Sequence, residues 1–266
     1  MFYRELCDFA IETVLKAGAI VKEGYYKIQE QGIEYVLKGY ADPVTEYDKK
    51  SEELIINSIL KRYPKSGIIA EESGGLSSDS SLRWIIDPLD GTVNFIHSIP
   101  FIALSIGVEV DGKVVAGVIY NPILDELYYA SLGGGSFLNN RRIYVSKNGS
   151  PQYSLTVTGF PYRREGRIED LLKPLRVILK EHQGFRRLGS ACMDLAYVAR
   201  GSFEVFYEES LKPWDTAAGK IIVEEAGGKV TDYYNNEYTI SSTTILATNN
   251  LMHDYMLSIL KDVVAP

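Results

Sequence analysis

A series of short, β-rich runs in the middle of the chain restricts the fold more than any other part of the sequence. The runs at 101–110 and 113–122 flank Asp111 and Gly112, and an Asp-Gly pair between two such runs is a strong hairpin signal. Further extended runs cover 84–87 and the region around 126–129. The sequence therefore predicts that antiparallel strands dominate the middle of the chain.

The chain before these strands shows helical periodicity. Apolar residues between positions 4 and 26 repeat at three- and four-residue spacing, which predicts an amphipathic helix that ends near Gly24. Residues 29–44 lose this periodicity and are predicted to form a functional loop. A second helix is predicted to begin near Thr45, whose hydroxyl matches a capping box with Asp48 three residues on.

After about residue 150, strands and helices alternate. The predicted elements are a strand at 154–160, a helix at 168–182, a strand near 203–208, and a helix, Gly-Gly stop and strand within 216–232. We therefore predict a mixed α+β and α/β fold. Because 266 residues approach the upper limit for one hydrophobic core, one large domain and two smaller, closely packed ones are both allowed. The change in pattern along the chain favours an α+β half at 1–140 and an α/β half at 141–266.

Charge and cysteine content exclude several functional classes. The net charge of −7 opposes sequence-independent nucleic-acid binding, which needs a surplus of Lys and Arg, and at face value it also opposes an anionic substrate. Cys7 and Cys192 lie far apart without metal-ligand spacing, so we expect neither a disulfide framework nor a zinc site. No signal sequence or membrane-length apolar run occurs, which predicts a cytoplasmic protein without membrane partners.

The segment from Asp87 to Thr92, Asp-Pro-Leu-Asp-Gly-Thr, is the densest chemical signal. It follows the apolar strand that begins at Trp84, so two carboxylates are expected at a strand end, with a turn carbonyl and a helix start beside them. Carboxylate and carbonyl oxygens suit hard cations, and helix N-terminal N–H groups suit phosphate. The alternative is that Asp-Pro and Asp-Gly simply form a turn.

Two further acidic clusters support the interpretation of Asp87–Thr92 as part of a binding site. Glu71 and Glu72 follow a short apolar run, and Asp215 is predicted to occupy the N-cap position of an apolar-faced helix. Each alone has an ordinary explanation, as solvated surface or as a helix cap. Three such clusters beside rigid apolar segments, in a chain with three histidines and no reactive-cysteine signature, together favour a site for oxygen-liganded cations.

These motifs resemble the signatures of the inositol monophosphatase family, which belongs to the metal-dependent, lithium-sensitive phosphatases along with fructose-1,6-bisphosphatases. The matching segments, in family order, are Asp42-Pro43-Val44-Thr45-Glu46-Tyr47-Asp48, Ala70-Glu71-Glu72-Ser73, Trp84 through Phe95, Trp214-Asp215 and Glu224-Glu225-Ala226-Gly227-Gly228. The resemblance spans nearly the whole chain. It implies a layered αβαβα sandwich, a homodimer, and two or three Mg²⁺ ions, which Mn²⁺ could replace.

The resemblance also implies roles for individual residues. The implied metal ligands are Glu71, Asp87, the Leu89 carbonyl, Asp90 and Asp215. The implied catalytic residues are Glu71 and Thr92, which orient the attacking water, Asp48 behind Thr92, and Asp90 near the leaving oxygen. The implied substrate contacts are Gly91, Thr92, Gly189, Ser190, Ala191 and Glu208. Bound cations would reverse the local sign of this acidic cluster and so permit an anionic substrate.

The substrate is less well determined by sequence. A local basic concentration comprises Arg163, Arg164, Arg167, Arg186, Arg187 and Lys212. If Arg186 and Arg187 reach the site, a second substrate phosphate is favoured, as in the archaeal-type enzymes that this chain resembles, which accept fructose 1,6-bisphosphate and inositol 1-phosphate. The alternatives are a solvated basic face, a phosphatase for 3′-phosphoadenosine 5′-phosphate, and a dimeric metal-binding protein without catalysis.

Other segments are given smaller roles. The loop at 29–44 is predicted to act as a lid that carries Lys38 and Asp42 towards the metals. The three glycines at 133–135 are interpreted as a turn between strands. The three histidines share no ligand spacing and are interpreted as packing or surface residues; they are His97, His182 and His253.

Overall fold

The computed structural model describes residues 2–39, 42–162, 165–261 and 263. Arg163 and Arg164 of the basic concentration lie outside the described residues. The α-helices of the described part are α1 (Phe2–Gln31), α2 (Glu46–Arg62), α3 (Thr92–Ile96), α4 (Ile168–Glu181), α5 (Ala191–Ala199), α6 (Pro213–Glu225) and α7 (His253–Leu260). None of these helices combines the length and apolar character needed to cross a membrane.

The strands form two large sheets and one small hairpin. The hairpin pairs β1 (Val36–Gly39) with β2 (Asp42–Val44). The first large sheet has the order β3-β4-β5-β6-β7-β8-β9, formed by Gly67–Ala70, Leu82–Asp90, Ala103–Val110, Lys113–Asn121, Glu126–Ser131, Gly135–Leu138 and Arg141–Arg142. The second has the order β11-β10-β12-β14-β13, formed by Gly184–Arg186, Leu155–Thr158, Val205–Glu209, Thr244–Thr248 and Lys229–Thr231.

The predicted antiparallel middle is confirmed. From β4 to β9 every neighbouring pair of the first sheet is antiparallel, and only β3 runs parallel to its neighbour. The turn between β5 and β6 is the Asp111-Gly112 turn, and both residues have positive φ angles, as the short turns that suit hairpins require. The three glycines at 133–135 lie in the turn between β7 and β8, as predicted.

Three hydrophobic cores define the layers. In the first, α1 and α2 pack on one face of the seven-stranded sheet through residues such as Val14 and Ile55. In the second, α5 and α6 lie between the two sheets and contribute Leu195 and Ile222. In the third, α4 and α7 cover the outer face of the five-stranded sheet. The order of layers is therefore αβαβα, and the predicted fold class is confirmed.

The start of α6 is fixed by close packing on the seven-stranded sheet. Gly107 and Gly117 are partners in the register of β5 and β6. A Cβ atom on Gly107 would lie 2.7 Å from the Cβ of Ala217, and one on Gly117 would lie 2.6 Å from the carbonyl oxygen of Ala218. Two glycines therefore let the helix approach the sheet closely, which places Asp215 in its first turn over the strand ends.

Two predictions in the N-terminal region are wrong. The first helix does not end near Gly24 but continues to Gln31. The glycine serves close packing rather than a helix end, because a Cβ atom added to Gly24 would lie 2.5 Å from Cδ1 of Tyr47. The predicted loop at 29–44 instead contains the β1–β2 hairpin. Its apolar residues alternate too briefly to give a strand signal.

Other local predictions are confirmed. Thr45 caps α2: its side chain accepts a hydrogen bond from the Tyr47 N–H, and its own N–H donates to Asp48 at 2.8 Å. His182 and His253 are buried packing residues that contact threonine hydroxyls. Cys7 and Cys192 are buried and form no disulfide. The division of the chain near residue 140 stays a prediction.

Candidate active site

The Asp87–Thr92 segment is a continuation of β4 rather than a turn that ends the strand. The strand runs to Asp90, and its pairing with β5 shifts register between Asp87 and Asp90. Pro88 causes this irregularity because it has no N–H to donate across the ladder. Its carbonyl accepts a hydrogen bond from Ser51 at 2.9 Å, and Asp87 accepts one from the Leu89 N–H at 3.0 Å. The Asp87 carboxylate and the Pro88 backbone are thus held by the strand itself and by α2.

Gly91 joins this strand to the short helix α3. Its φ angle of 86° lies in the left-handed region that favours glycine. A Cβ here would also lie 3.1 Å from the Phe101 carbonyl oxygen and 3.3 Å from that of Gly189. The backbone of Gly91 and Thr92 consequently lines a cavity of about 570 Å³.

Thr92 and Asp48 form the predicted pair. The Thr92 hydroxyl lies 3.0 Å from Asp48 Oδ1 and 3.0 Å from the Leu89 carbonyl oxygen. The other carboxylate oxygen of Asp48 accepts hydrogen bonds from the Thr45 N–H and hydroxyl. Burial raises the pKa of Asp48 to about 6, although the hydrogen bonds from Thr45 and Thr92 oppose this shift. The capping group of α2 therefore also orients a hydroxyl in the cavity.

Glu71 enters the cavity from the end of β3, in a segment that Glu52 holds in place. The buried Glu52 carboxylate accepts hydrogen bonds from the N–H groups of Glu72 at 2.8 Å and Ser73 at 2.9 Å. Sequence reasoning missed Glu52. The available signal was an acidic residue one position after Ser51 on the buried face of α2.

The hairpin brings Lys38 to the same carboxylates, as predicted from the sequence. The Lys38 ammonium lies 2.8 Å from Glu71 and 2.7 Å from Glu72, and 3.8 Å from Asp42. Burial lowers the pKa of Lys38, but these two glutamates outweigh it and raise the pKa above its ordinary value. That the hairpin moves as a lid stays a prediction.

Asp90 and Asp215 complete the acidic end of the cavity. Asp90 Oδ2 accepts hydrogen bonds from the Ser190 hydroxyl at 2.6 Å and the Cys192 N–H at 2.7 Å, at the start of α5. Asp215 is the third residue of α6 and not its N-cap, because the helix begins at Pro213; its carboxylate accepts from the Lys212 N–H at 2.6 Å and so still satisfies the helix start. Ser190 thus positions Asp90, and its predicted substrate contact stays a prediction.

These carboxylates repel one another. Burial and the charges of Glu71, Asp90 and Asp215 raise the pKa of Asp87 well above its ordinary value. Burial and the charge of Asp90 also raise the pKa of Asp215, and burial raises the pKa of Glu71 although Lys38 opposes this shift. Neighbouring cationic and N–H groups of the protein therefore do not balance the negative charge that these carboxylates carry when ionised.

This donor set fits Mg²⁺. The donors are carboxylate oxygens and the Leu89 carbonyl, which hard cations prefer. Within the described ranges, no three His, Cys, Asp or Glu side chains close around a single point. An open set is what Mg²⁺ uses, because this ion keeps several waters and takes only one or two carboxylates at a time.

The same cavity also carries groups suited to a polyol. Glu208 packs its carboxylate on Gly159, and burial, partly offset by Arg187, raises its pKa to about 8. Gly189 and Ala191 also line the cavity. Glu208, Gly189 and Ala191, all implied by the family resemblance, thus share one cavity with the acidic end.

The basic concentration does not act as one cluster. Arg187 lines the cavity, whereas Arg186 is outside its lining and donates to the Phe185 carbonyl at 2.8 Å. Arg167 pairs with Glu209 at 3.1 Å. Of the five arginines in the concentration, the described residues include one in the cavity lining.

Sequence reasoning missed two further groups in the lining. Phe160 and Tyr162 form part of the cavity lining; Phe160 ended the strand predicted at 154–160, and nothing in the sequence marked either ring as a site residue. Asp194 lies on α5 with 1% of its surface exposed. A single charged residue within the apolar run Ala191–Ala199 was the available signal for it.

Comparisons with known proteins agree with this geometry. The sequence model of the inositol monophosphatase family matches residues 3–265. An inositol-1-monophosphatase from Mesorhizobium japonicum is 39% identical over 257 residues, covering 96% of each chain. The Nus factor SuhB of Escherichia coli strain K12 is 38% identical over 258 residues, covering 97% of this chain and 96% of its own. The solved structure of inositol monophosphatase from Anabaena (Nostoc) superposes with a TM-score of 0.89 at 38% identity, covering 100% of this chain and 98% of that one.

The fold, the acidic cavity and these relatives place the protein among the phosphoric monoester hydrolases. The chain belongs to the inositol monophosphatase family. The family resemblance inferred from the motifs is therefore confirmed.

Proposed function

We propose that this protein is a Mg²⁺-dependent phosphatase that releases phosphate from an inositol monophosphate. The observation that carries the proposal is the set of carboxylates Asp87, Asp90 and Asp215, which burial and mutual repulsion affect, in a cavity that Glu208 also lines. A dianionic phosphate needs cations beside it, and a polyol needs hydrogen-bond acceptors. The aspartates supply the ion site and Glu208 supplies an acceptor.

The ions would be held by Glu71, Asp87, Asp90, Asp215 and the Leu89 carbonyl. When bound, they neutralise phosphate charge and lower the pKa of a water, which is the chemistry that phosphomonoester hydrolysis needs. The protein contributes by holding these oxygens in place. Ser190 and the Cys192 N–H fix Asp90, and Glu52 fixes the segment that carries Glu71.

Thr92 and Asp48 orient the attacking water in this proposal. Since Asp48 Oδ1 and the Leu89 carbonyl both lie 3.0 Å from the Thr92 hydroxyl, its oxygen keeps a lone pair free to accept a hydrogen bond from water. Asp48 is itself held by Thr45. The water is thus positioned by a chain of three side chains that starts at the cap of α2.

Fructose 1,6-bisphosphate is the second candidate substrate, and Arg187 in the lining is the observation that favours it. A guanidinium suits a second phosphate because it offers a fork of N–H donors. The same cavity also holds Glu208, whose buried carboxyl group suits a hydroxyl of the substrate rather than a phosphate. We therefore rank the inositol ester first.

A substrate panel tests the proposal. Phosphate release is measured from inositol 1-phosphate, fructose 1,6-bisphosphate and 3′-phosphoadenosine 5′-phosphate, each with Mg²⁺ and with chelator. We expect Mg²⁺-dependent release that is fastest from inositol 1-phosphate. No release from any ester at saturating Mg²⁺ would contradict the proposal and favour a binding protein without catalysis.

Arg187→Ala and Arg186→Ala make a matched pair for the second-phosphate question, because only Arg187 lines the cavity. Arg187→Ala should reduce kcat/KM for the bisphosphate more than for inositol 1-phosphate, and Arg186→Ala should change neither. Equal losses on both esters would remove Arg187 from substrate selection.

We also propose that the protein is a cytoplasmic homodimer, as the family resemblance implies. Its unpaired Cys7 and Cys192 are consistent with a reducing compartment. Light scattering should give twice the chain mass of 29.8 kDa, and a monomer mass at micromolar concentration would contradict the dimer.

A further inference from the structure

Asp194 is a buried carboxyl group that the mechanism above leaves without a role. It lies in the first turn of α5, is 1% exposed, and lines the cavity. Its Oδ1 atom has no hydrogen-bond partner in the described part of the chain. Its presence in an otherwise apolar helix therefore has no explanation in helix packing.

The fold satisfies other buried carboxyl groups with several donors. Glu52 receives two backbone N–H groups. Glu204 receives the Ser146 hydroxyl and the Leu155 N–H, both at 2.7 Å. A buried polar group without a partner is unfavourable, so one that borders a cavity is expected to meet its partner in the ligand.

The surroundings of Asp194 indicate which ligand groups it can meet. Glu208 and Asp90 raise its pKa further above the ordinary value than burial alone does, and Arg187 lowers it. Two neighbouring carboxyl groups supply hydrogen-bond acceptors rather than the N–H donors that an anionic ligand group needs. Hydroxyl groups, which donate to carboxyl oxygens, fit this wall.

We infer that Asp194 is a specificity-determining residue whose carboxyl group accepts a hydrogen bond from a hydroxyl of the substrate. The inference rests on the proposed function and deepens it, because it adds a second carboxyl group, beside Glu208, to the part of the cavity that selects the alcohol. Glu208 and Asp194 then bind neighbouring hydroxyls, while the acidic end binds the phosphate.

The test compares a hydroxylated substrate with a ligand that has no alcohol part. Asp194→Asn and Asp194→Leu are assayed for kcat and KM on inositol 1-phosphate, and inorganic phosphate is used as a competitive inhibitor of each. The control is Met193→Leu, a buried α5 residue outside the cavity lining. Circular dichroism and Tm report on folding, and the near-isosteric Asn variant keeps the test valid if the Leu variant unfolds.

We expect Asp194→Leu to lower kcat/KM for inositol 1-phosphate about tenfold or more, chiefly through KM, because a hydrogen bond to a carboxyl group is lost. Asp194→Asn keeps an acceptor oxygen and should lie between Leu and wild type. The Ki of inorganic phosphate should stay within about twofold in both variants, since phosphate alone does not reach this wall.

Two results would overturn the inference alone. One is a Ki for inorganic phosphate that rises in parallel with KM, which would show a structural effect on the acidic end. The other is unchanged kinetics in both variants. Failure of the wild-type protein to release phosphate from inositol 1-phosphate would overturn the proposed function as well, so the two failures are distinguishable.

Discussion

Two parts of the cavity, a floor and a hairpin wall, are built in different ways. The floor is formed by the end of β4, α3 and the first turn of α6; it lies among packed cores, and Asp87 in it is 1% exposed. The hairpin wall, formed by β1 and β2, is a two-stranded sheet in which all four residues of β1 are exposed. A two-stranded hairpin is marginally stable on its own. The carboxylates that need a fixed geometry therefore lie on the packed floor. The ammonium group of Lys38 lies on the exposed hairpin, where its position is less tightly fixed.

The largest effect should come from the floor. Asp215→Asn keeps an oxygen that can accept from the Lys212 N–H and so preserves the cap of α6. It removes a charge from the proposed ion site, and we expect phosphate release to fall about 1000-fold at saturating Mg²⁺, or about 4 kcal/mol in transition-state stabilisation.

The matched control is Asp254→Asn, which removes an exposed acidic residue from the first turn of α7 and should leave turnover unchanged. Full turnover in Asp215→Asn would show that this residue holds no essential ion.

The water-orienting pair should give the next largest effect. Thr92→Val removes the hydroxyl that contacts Asp48, and we expect kcat to fall about 100-fold with little change in KM. Thr92→Ser keeps the hydroxyl and should retain most activity. If KM rises while kcat is kept in the Val variant, Thr92 binds substrate rather than orienting water.

The hairpin wall should give a smaller effect. Lys38→Gln removes an ammonium group that competes for Glu71 and Glu72. Since partly exposed ion pairs contribute little, we expect less than about a tenfold change in kcat and a lower Mg²⁺ concentration at half-maximal rate. A loss as large as that of Asp215→Asn would erase the distinction between the floor and the hairpin wall.

The smallest effect concerns stability against pH. Burial raises the pKa of Glu208 from 4.5 to about 8, and the pKa values of Asp87 and Asp215 are raised in the same direction. A raised pKa stabilises the fold below the unfolded value, and this contribution is lost as the pH rises through the folded value.

The Tm of the protein in chelator should therefore fall by several degrees between about pH 5 and about pH 8, and added Mg²⁺ should reduce this fall. Thermal scans with and without chelator measure it. A Tm in chelator that increases over this range would contradict the assigned burial of these carboxyl groups.

The floor could be predicted from the sequence because its signals are local. The capping box of Thr45 and Asp48, the apolar strand that leads from Trp84 to Asp87 and the helix start near Asp215 each lie within a few residues. The antiparallel pairing of β5 with β6 followed from one Asp-Gly turn and the apolar runs beside it.

Features that depend on distant contacts could not be predicted in this way. Gly24 was predicted to mark a helix end, but its lack of a side chain instead leaves space for the ring of Tyr47 from the next helix. Glu52 and Asp194 are functional candidates only because segments far apart in sequence meet around them. The arginines that are close in sequence do not share one place in the structure: Arg187 lines the cavity, whereas its neighbour Arg186 lies outside the lining.

The central claim is that the acidic floor is a Mg²⁺ site for phosphate ester hydrolysis. The most direct measurement is the rate of phosphate release from inositol 1-phosphate by the wild-type protein, first stripped with chelator and then titrated with Mg²⁺. We predict no release in chelator and a saturable recovery as Mg²⁺ is added. Full turnover in chelator, or no turnover at any Mg²⁺ concentration, would contradict the claim.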